Sequence, residues 1–124
     1  MRAAEALTRP LVTVGPRDFA RHAAGLMDDF GLTTLPVADE GVLLGVVTRA
    51  DVVRGREGVP APYVQQVMSQ PVLVATRDTP LDALFDAMAR HEVLCVPVLD
   101  DGRVVGVVTR SSAPQALSRA VLHS

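Results

Sequence analysis

Thr48-Arg49-Ala50-Asp51 is the stretch whose side chains could do chemistry. An ionised aspartate accepts hydrogen bonds from two neighbouring hydroxyl donors at once, and such charge-assisted bonds are stronger than neutral ones. Thr48, three residues earlier, supplies a hydroxyl, and Arg49 carries a guanidinium fork that matches phosphate oxygens. A helix starting here would add a positive dipole end, which favours an anion. The same residues have a structural reading. Aspartate and serine are preferred caps at helix N-termini, and threonine suits a strand end. The spacing alone leaves both readings open. The stretch lies within Gly45-Val46-Val47-Thr48-Arg49-Ala50-Asp51, which recurs in the second half of the chain as Gly106-Val107-Val108-Thr109-Arg110-Ser111-Ser112. The second copy ends in serine, which is neutral and shorter and cannot accept two hydrogen bonds as a carboxylate does.

Other reactive side chains form no comparable pattern. His22, His91 and His123 have no partner at metal-ligand or triad spacing. Cys95 sits in an apolar run without a nearby base, so a packed thiol is expected; it cannot form an internal disulfide, which suits a reducing cytoplasm. Asp28-Asp29, Asp39-Glu40 and Asp100-Asp101 read as helix-end and turn residues rather than general acid-base pairs. No catalytic constellation is present, so an enzyme is not expected. The formal net charge is −2 with the charges scattered, and the aromatics are only Phe19, Phe30, Tyr63 and Phe85. A nucleic-acid surface would show a clustered basic face or several stacking rings. All twelve basic residues are arginine, a compositional bias. No run is long and apolar enough to span a bilayer. The start Met1-Arg2-Ala3-Ala4-Glu5 has an early acid and no apolar region, so no signal peptide is expected.

The elements that must position Asp51 are duplicated. Laying Gly45 on Gly106 without gaps also lays Pro10 on Pro71, Met27 on Met88, Pro36 on Pro97, Asp39 on Asp100 and Gly41 on Gly102. A repeat of this length implies two copies of one supersecondary unit. Each copy reads in the same order. A short helical lead-in (Ala3–Leu7, then Tyr63–Met68) precedes a short strand (Leu11–Val14, then Val72–Val74). Gly15-Pro16 breaks the first strand; in the second copy Thr79 reads as an N-cap with Pro80 at the first helical position. A helix follows, with a stripe of Phe19, Ala23, Leu26, Met27 and Phe30 in one copy and Leu81, Leu84, Phe85 and Met88 in the other. Both stripes read as core-facing. A hairpin comes next, turning at Asp39-Glu40-Gly41 and Asp100-Asp101-Gly102. Pro36 and Pro97 cannot donate to a ladder, so each is expected at a strand start or sheet edge, leaving neighbouring backbone groups free to read a ligand. A closing helix ends each copy. Gly55-Arg56-Glu57-Gly58-Val59-Pro60-Ala61-Pro62 reads as the linker. Neither copy buries enough surface alone, so the two sheets are expected to pack together.

The apolar-Pro-Val-x-Asp-x-Gly hairpin followed by Gly-Val-Val-Thr-Arg-x-(Asp/Ser) resembles the tandem CBS-domain pair, or Bateman module, over about residues 2–122. The resemblance implies an α+β (α/β) fold: two β-α-β-β-α repeats packed sheet to sheet with pseudo-two-fold symmetry. The repeats are 2–54 and 63–122, joined by the linker 55–62. It implies a regulatory module, not a catalyst. Clefts between the repeats would bind AMP, ADP, ATP or S-adenosylmethionine as a regulatory ligand, with no cofactor required. It also implies a homodimer that regulates an attached or associated protein, here expected to be a separate effector protein; charge and hydropathy give neither nucleic acid nor membrane as partner. The alternative is an interaction or dimerisation module without a physiological small ligand.

In that family a cleft draws its strand edge from one repeat and its Thr-x-x-Asp from the other. On that pattern Thr48, Arg49 and Asp51 would work with Ser69, Gln70, Pro71, Val72 and the Leu94, Cys95, Val96 edge. The other cleft would join Thr109, Arg110 and Ser112 to Thr8, Arg9, Pro10, Leu11 and the Thr33, Thr34, Leu35 edge. Adenine would rest on aliphatic side chains and be read by backbone groups beside Pro36 or Pro97. Because Ser112 departs from the pattern, the Asp51 cleft is expected to be the stronger ribose site and the other weak, empty or differently selective.

Overall fold

The computed structural model describes residues 1–8, 11–58 and 60–109. The chain is a mixture of helices and strands, as expected. A 3-10 turn at Ala3–Ala6 is followed by α1 (Ala20–Phe30), β1 (Thr34–Asp39), β2 (Val42–Thr48) and α2 (Arg49–Gly58). Then come α3 (Val64–Val67), β3 (Ala75–Thr76), α4 (Leu81–Arg90), β4 (Cys95–Asp100) and β5 (Arg103–Thr109). These elements form two compact units. One is Val12–Pro71; the other joins Met1–Leu11 to the chain from Val72 onward. Each unit therefore combines the lead-in of one sequence copy with the helix and hairpin of the other.

The same positions build both cores. Val14, Ala20, Ala23, Met27, Leu35, Val37, Val47 and Val64 are buried together in one unit. Their counterparts in the repeat are Ala75, Leu81, Leu84, Met88, Val96, Val98, Val108 and Ala3, and these are buried together in the other. The hairpins match as well. β1 pairs antiparallel with β2, Pro36 opposite Val46 and Val37 opposite Gly45, with a bulge between Val37 and Ala38. β4 pairs with β5 in the equivalent register, Pro97 opposite Val107 and Val98 opposite Gly106, with its bulge between Val98 and Leu99. Glu40-Gly41 and Asp101-Gly102 make the turns, and all four residues have positive φ. Two left-handed residues in succession give the turn whose twist matches paired strands, which is why a glycine recurs there.

Several expectations from sequence are corrected. The strand expected at Leu11–Val14 reduces to one parallel rung, Val14 against Val37. That expected at Val72–Val74 begins later, as the two-residue β3, and Val72 and Val74 are exposed. Val14 and Ala75 are the fully buried residues there, while Val12 and Leu73 pack against the two cores partly buried. Thr79 is not the helix cap: Pro80 holds that position of α4, and Thr79 Oγ1 accepts the Thr76 N–H at 3.0 Å, closing the turn before it. The equivalent turn in the first copy is closed by Asp18, which accepts the Gly15 N–H at 2.8 Å. Pro36 and Pro97 are each the third residue of their strand and fully buried, so neither opens a strand; β1 is an edge strand, as expected for Pro36, whereas β4 pairs with both β3 and β5. Among the described residues β1 is flanked on its open side only by Val14, whose N–H donates to the Pro36 carbonyl and whose C=O accepts the Ala38 N–H. Those two backbone groups are therefore engaged. Phe19 and Phe30 are exposed rather than in the core, which α1 fills with Ala20, Ala23 and Met27.

α2 continues through Gly58, into the segment read as linker. Gly55 lets α3 pack closely on α2, because a Cβ there would fall inside the Val67 side chain. Alanine normally favours a helix interior over glycine by about 1 kcal/mol. Here Gly55→Ala should instead lower stability by about 1–3 kcal/mol through overpacking. Urea denaturation would show this as a lower midpoint, partly restored by adding Val67→Ala.

Candidate ligand site at the start of the second helix

β2 ends at Thr48 and α2 begins at Arg49, so Thr48 stands at the helix cap. Its Oγ1 accepts the Asp51 N–H at 3.1 Å, while Asp51 Oδ2 accepts the Thr48 N–H at 3.0 Å. This reciprocal pair is a capping box, which satisfies two backbone donors that a helix start leaves unpaired. Asp51 has further partners. Its Oδ1 accepts the Ser69 hydroxyl at 3.1 Å and Arg54 Nη2 at 2.6 Å. Asp51 is 3% exposed and is the only charged side chain buried among the described residues.

Ser69 arrives through backbone pairing. Its N–H donates to the Val46 carbonyl at 2.8 Å, and its carbonyl accepts the Val46 N–H at 2.9 Å. α3 delivers the chain to this point, and Gln70 continues it with a side-chain contact to the Leu44 carbonyl at 3.4 Å. The approach depends on Gly45, where a Cβ would lie 2.8 Å from the Ser69 carbonyl oxygen and 3.3 Å from Met68 Sδ. The glycine that opens the repeated stretch thus admits the strap carrying Ser69. The other unit has the same arrangement. Thr8 donates its N–H to the Val107 carbonyl at 2.8 Å, and its Oγ1 lies 3.4 Å from Thr109 Oγ1. Leu7 lies over Gly106 there. Thr8 and Thr109 occupy the positions of Ser69 and Thr48.

Of the residues singled out from sequence, the structure joins Thr48, Asp51 and Ser69, and separately Thr8 and Thr109. Arg49 binds Asp28 at 2.7 Å across an exposed pair. Leu35 and Val96 are fully buried, Leu11, Val72 and Leu94 are exposed, and Thr34 and Cys95 open their strands. The Thr33 carbonyl accepts the Arg49 N–H at 3.3 Å. Pro71 closes the unit that holds Asp51, and Val72 begins the next segment. Arg9, Pro10, Arg110 and Ser112 lie outside the described residues. The sequence reading missed Arg54, although its position three residues after Asp51 places both on one helix face. It also missed an exposed cluster in which Phe19 stacks on Tyr63 at 5.1 Å with Arg21 over the Phe19 ring. A concavity of about 310 Å³ lies beside it, lined by Phe19, Ala20, Arg21, Pro60, Ala61 and Pro62. Among the described residues no cluster of His, Cys, Asp and Glu could hold a metal ion, and no helix is long and apolar enough to cross a membrane.

The profile of the CBS domain matches residues 3–58 and again residues 64–118. The chain belongs to the CBS-domain family. Its two CBS repeats are 29% identical over 109 residues to the CBS domain-containing protein YhcV of Bacillus subtilis (strain 168), covering 84% of this chain and 76% of that one. They are 34% identical over 110 residues to the inosine-5′-monophosphate dehydrogenase of Korarchaeum cryptofilum (strain OPF8), covering 87% of this chain but only 22% of the enzyme. Among solved structures, the CBS domain pair of protein MJ0100 in complex with 5′-methylthioadenosine and S-adenosyl-L-methionine is 25% identical. It superposes with a TM-score of 0.82, covering 97% of this chain and 98% of that one.

The packing of these CBS repeats sets two expectations. Gly45→Ala should push the strap off β2, costing about 1–3 kcal/mol, and amide hydrogen exchange should speed up at Ser69. Burial pushes the Cys95 thiol from 9.0 up to about 11. The unfolded chain then loses its thiol proton before the folded one does, so stability falls as pH rises from 9.0 toward 11. Cys95→Ala should remove about 2 kcal/mol of that fall, measured by urea denaturation across the range.

Proposed function

We propose that this chain is a regulatory module that binds an adenosyl ligand, either an adenine nucleotide or S-adenosylmethionine, with the ribose hydroxyls held by Asp51. The burial of Asp51 carries this reading. A helix-start cap functions well at the surface, as the exposed Glu5 and Gln66 side chains do by accepting the Arg2 and Tyr63 N–H groups. Burying a carboxylate costs several kcal/mol unless other groups offset it. Here the fold supplies a second hydroxyl from a separate strap, beyond what capping requires. The three donors leave one of about four acceptor positions unused. The ligands of the MJ0100 domain pair are both adenosyl compounds, which supports the same chemistry here.

The role is regulatory and not catalytic. In this reading it passes a ligand signal to an effector protein; the chain matches only about a fifth of the dehydrogenase's length. It works as a cytoplasmic homodimer. A bound ligand shifts the conformation only as far as it binds one arrangement better than another. Of the two copies, the one ending in Asp51 is the stronger site, since Ser112 replaces the carboxylate in the other.

Calorimetric titration with AMP, ATP and S-adenosylmethionine tests the proposal. Asp51→Asn should weaken binding at least tenfold, about 1.4 kcal/mol, and Ser69→Ala should weaken it less. Thermal unfolding without ligand confirms that both variants fold. Unchanged affinity in Asp51→Asn would overturn the assignment. No binding by the wild-type chain would favour an interaction module without a small ligand.

A further inference from the structure

Three donors reach the Asp51 carboxylate, and they differ in how readily they can leave. The Thr48 N–H is backbone, fixed by the capping box. Ser69 is exposed, but its hydroxyl is on a short side chain of a strap whose backbone pairs with Val46 through both its N–H and its C=O, so it cannot move far from Asp51. The third donor, Arg54, is a side chain that is 70% exposed, bound to a carboxylate whose own side chain is 2% exposed. A group that touches a buried oxygen while remaining mostly in water lies between that oxygen and the solvent. Arg54 is therefore the solvent-side cover of Asp51.

Resting on the adenosyl reading, we infer that Arg54 is a specificity-determining residue: it must yield its place on Asp51 to the ribose, and it then selects ligands by charge. A ribose presents two adjacent hydroxyl donors. The position Arg54 vacates on Oδ1, together with the acceptor position left unused, accommodates both while Thr48 and Ser69 keep their bonds. The displaced guanidinium stays tethered to α2, one turn along from Asp51. Its charge is permanent, and its fork pairs with phosphate oxygens. A phosphate-bearing nucleotide thus regains for Arg54 the partner that binding removed. An uncharged nucleoside displaces Arg54 and returns nothing. The sulfonium of S-adenosylmethionine meets a like charge. The site is accordingly graded, with anionic adenine nucleotides above adenosine and adenosine above S-adenosylmethionine.

The test is calorimetry with AMP, adenosine and S-adenosylmethionine on the full chain, comparing wild type, Arg54→Gln and Arg54→Lys. Arg54→Gln should bind adenosine at least threefold more tightly and AMP more weakly, so that the AMP-to-adenosine preference falls tenfold or more. Arg54→Lys keeps the charge and should retain a preference for AMP. Binding of adenosine by Arg54→Gln but not by wild type would also support the cover. A preference unchanged within twofold in Arg54→Gln, with all ligands still bound, overturns the role of Arg54 but leaves the adenosyl reading standing. Absence of binding to wild type and both variants overturns both.

Discussion

The paired hydrogen bonds between Val46 and Ser69 are the constraint on which the site depends. They seat a strap from the second sequence copy along β2 of the first, and so bring a hydroxyl to the Asp51 carboxylate. They form only because position 45 has no side chain, since a Cβ there would press on the Ser69 carbonyl. Glycine in a strand interior weakens the strand by itself. Its presence is explained by the backbone it admits. The other unit repeats the solution with Gly106, Val107 and Thr8, where Leu7 rather than backbone lies over the glycine.

Asp51 shows how one residue can serve two physical purposes. As the third residue of α2 it closes a capping box with Thr48, and in that role it stabilises the junction of strand and helix. Its burial goes beyond what that cap requires, and the second purpose is the ligand role proposed for it. Charges are almost never fully buried unless paired, and the fold commits a serine and an arginine to this one. One partner is a backbone N–H, the second is a short hydroxyl on a backbone-paired strap, and the third is a long side chain facing solvent. That division leaves the carboxylate satisfied within the fold, and the proposed exchange with a ligand rests on it.

Much of this was legible beforehand. The constant offset between the two Gly-Val-Val-Thr-Arg stretches located two copies, and it maps core residue onto core residue, down to Met27 and Met88. Asp-x-Gly placed both hairpin turns, because few sequences tolerate two successive positive φ angles. The short segments resisted reading. A strand of one or two rungs has too little periodicity to reveal itself, and Thr79 carries the chemistry of a helix cap whether it closes the helix or the turn before it. The aromatic rings were misplaced for a related reason. Phe19 falls on the apolar stripe of α1, yet it stands at the cap position, where it stacks on Tyr63 at the surface.

The sequence alone determined that the chain is doubled, that each copy holds a helix and a hairpin, and that Thr48 and Asp51 sit together where a helix begins. These properties depend on local spacing and turn chemistry, which neighbouring residues set among themselves. Only the tertiary structure decided that each lead-in packs with the helix and hairpin of the other copy. It also decided that Ser69 reaches Asp51, and that Arg49 turns away to Asp28 while Arg54 covers the carboxylate. Those outcomes join residues distant in sequence or choose between two equivalent arginines, and packing geometry, not residue type, makes that choice.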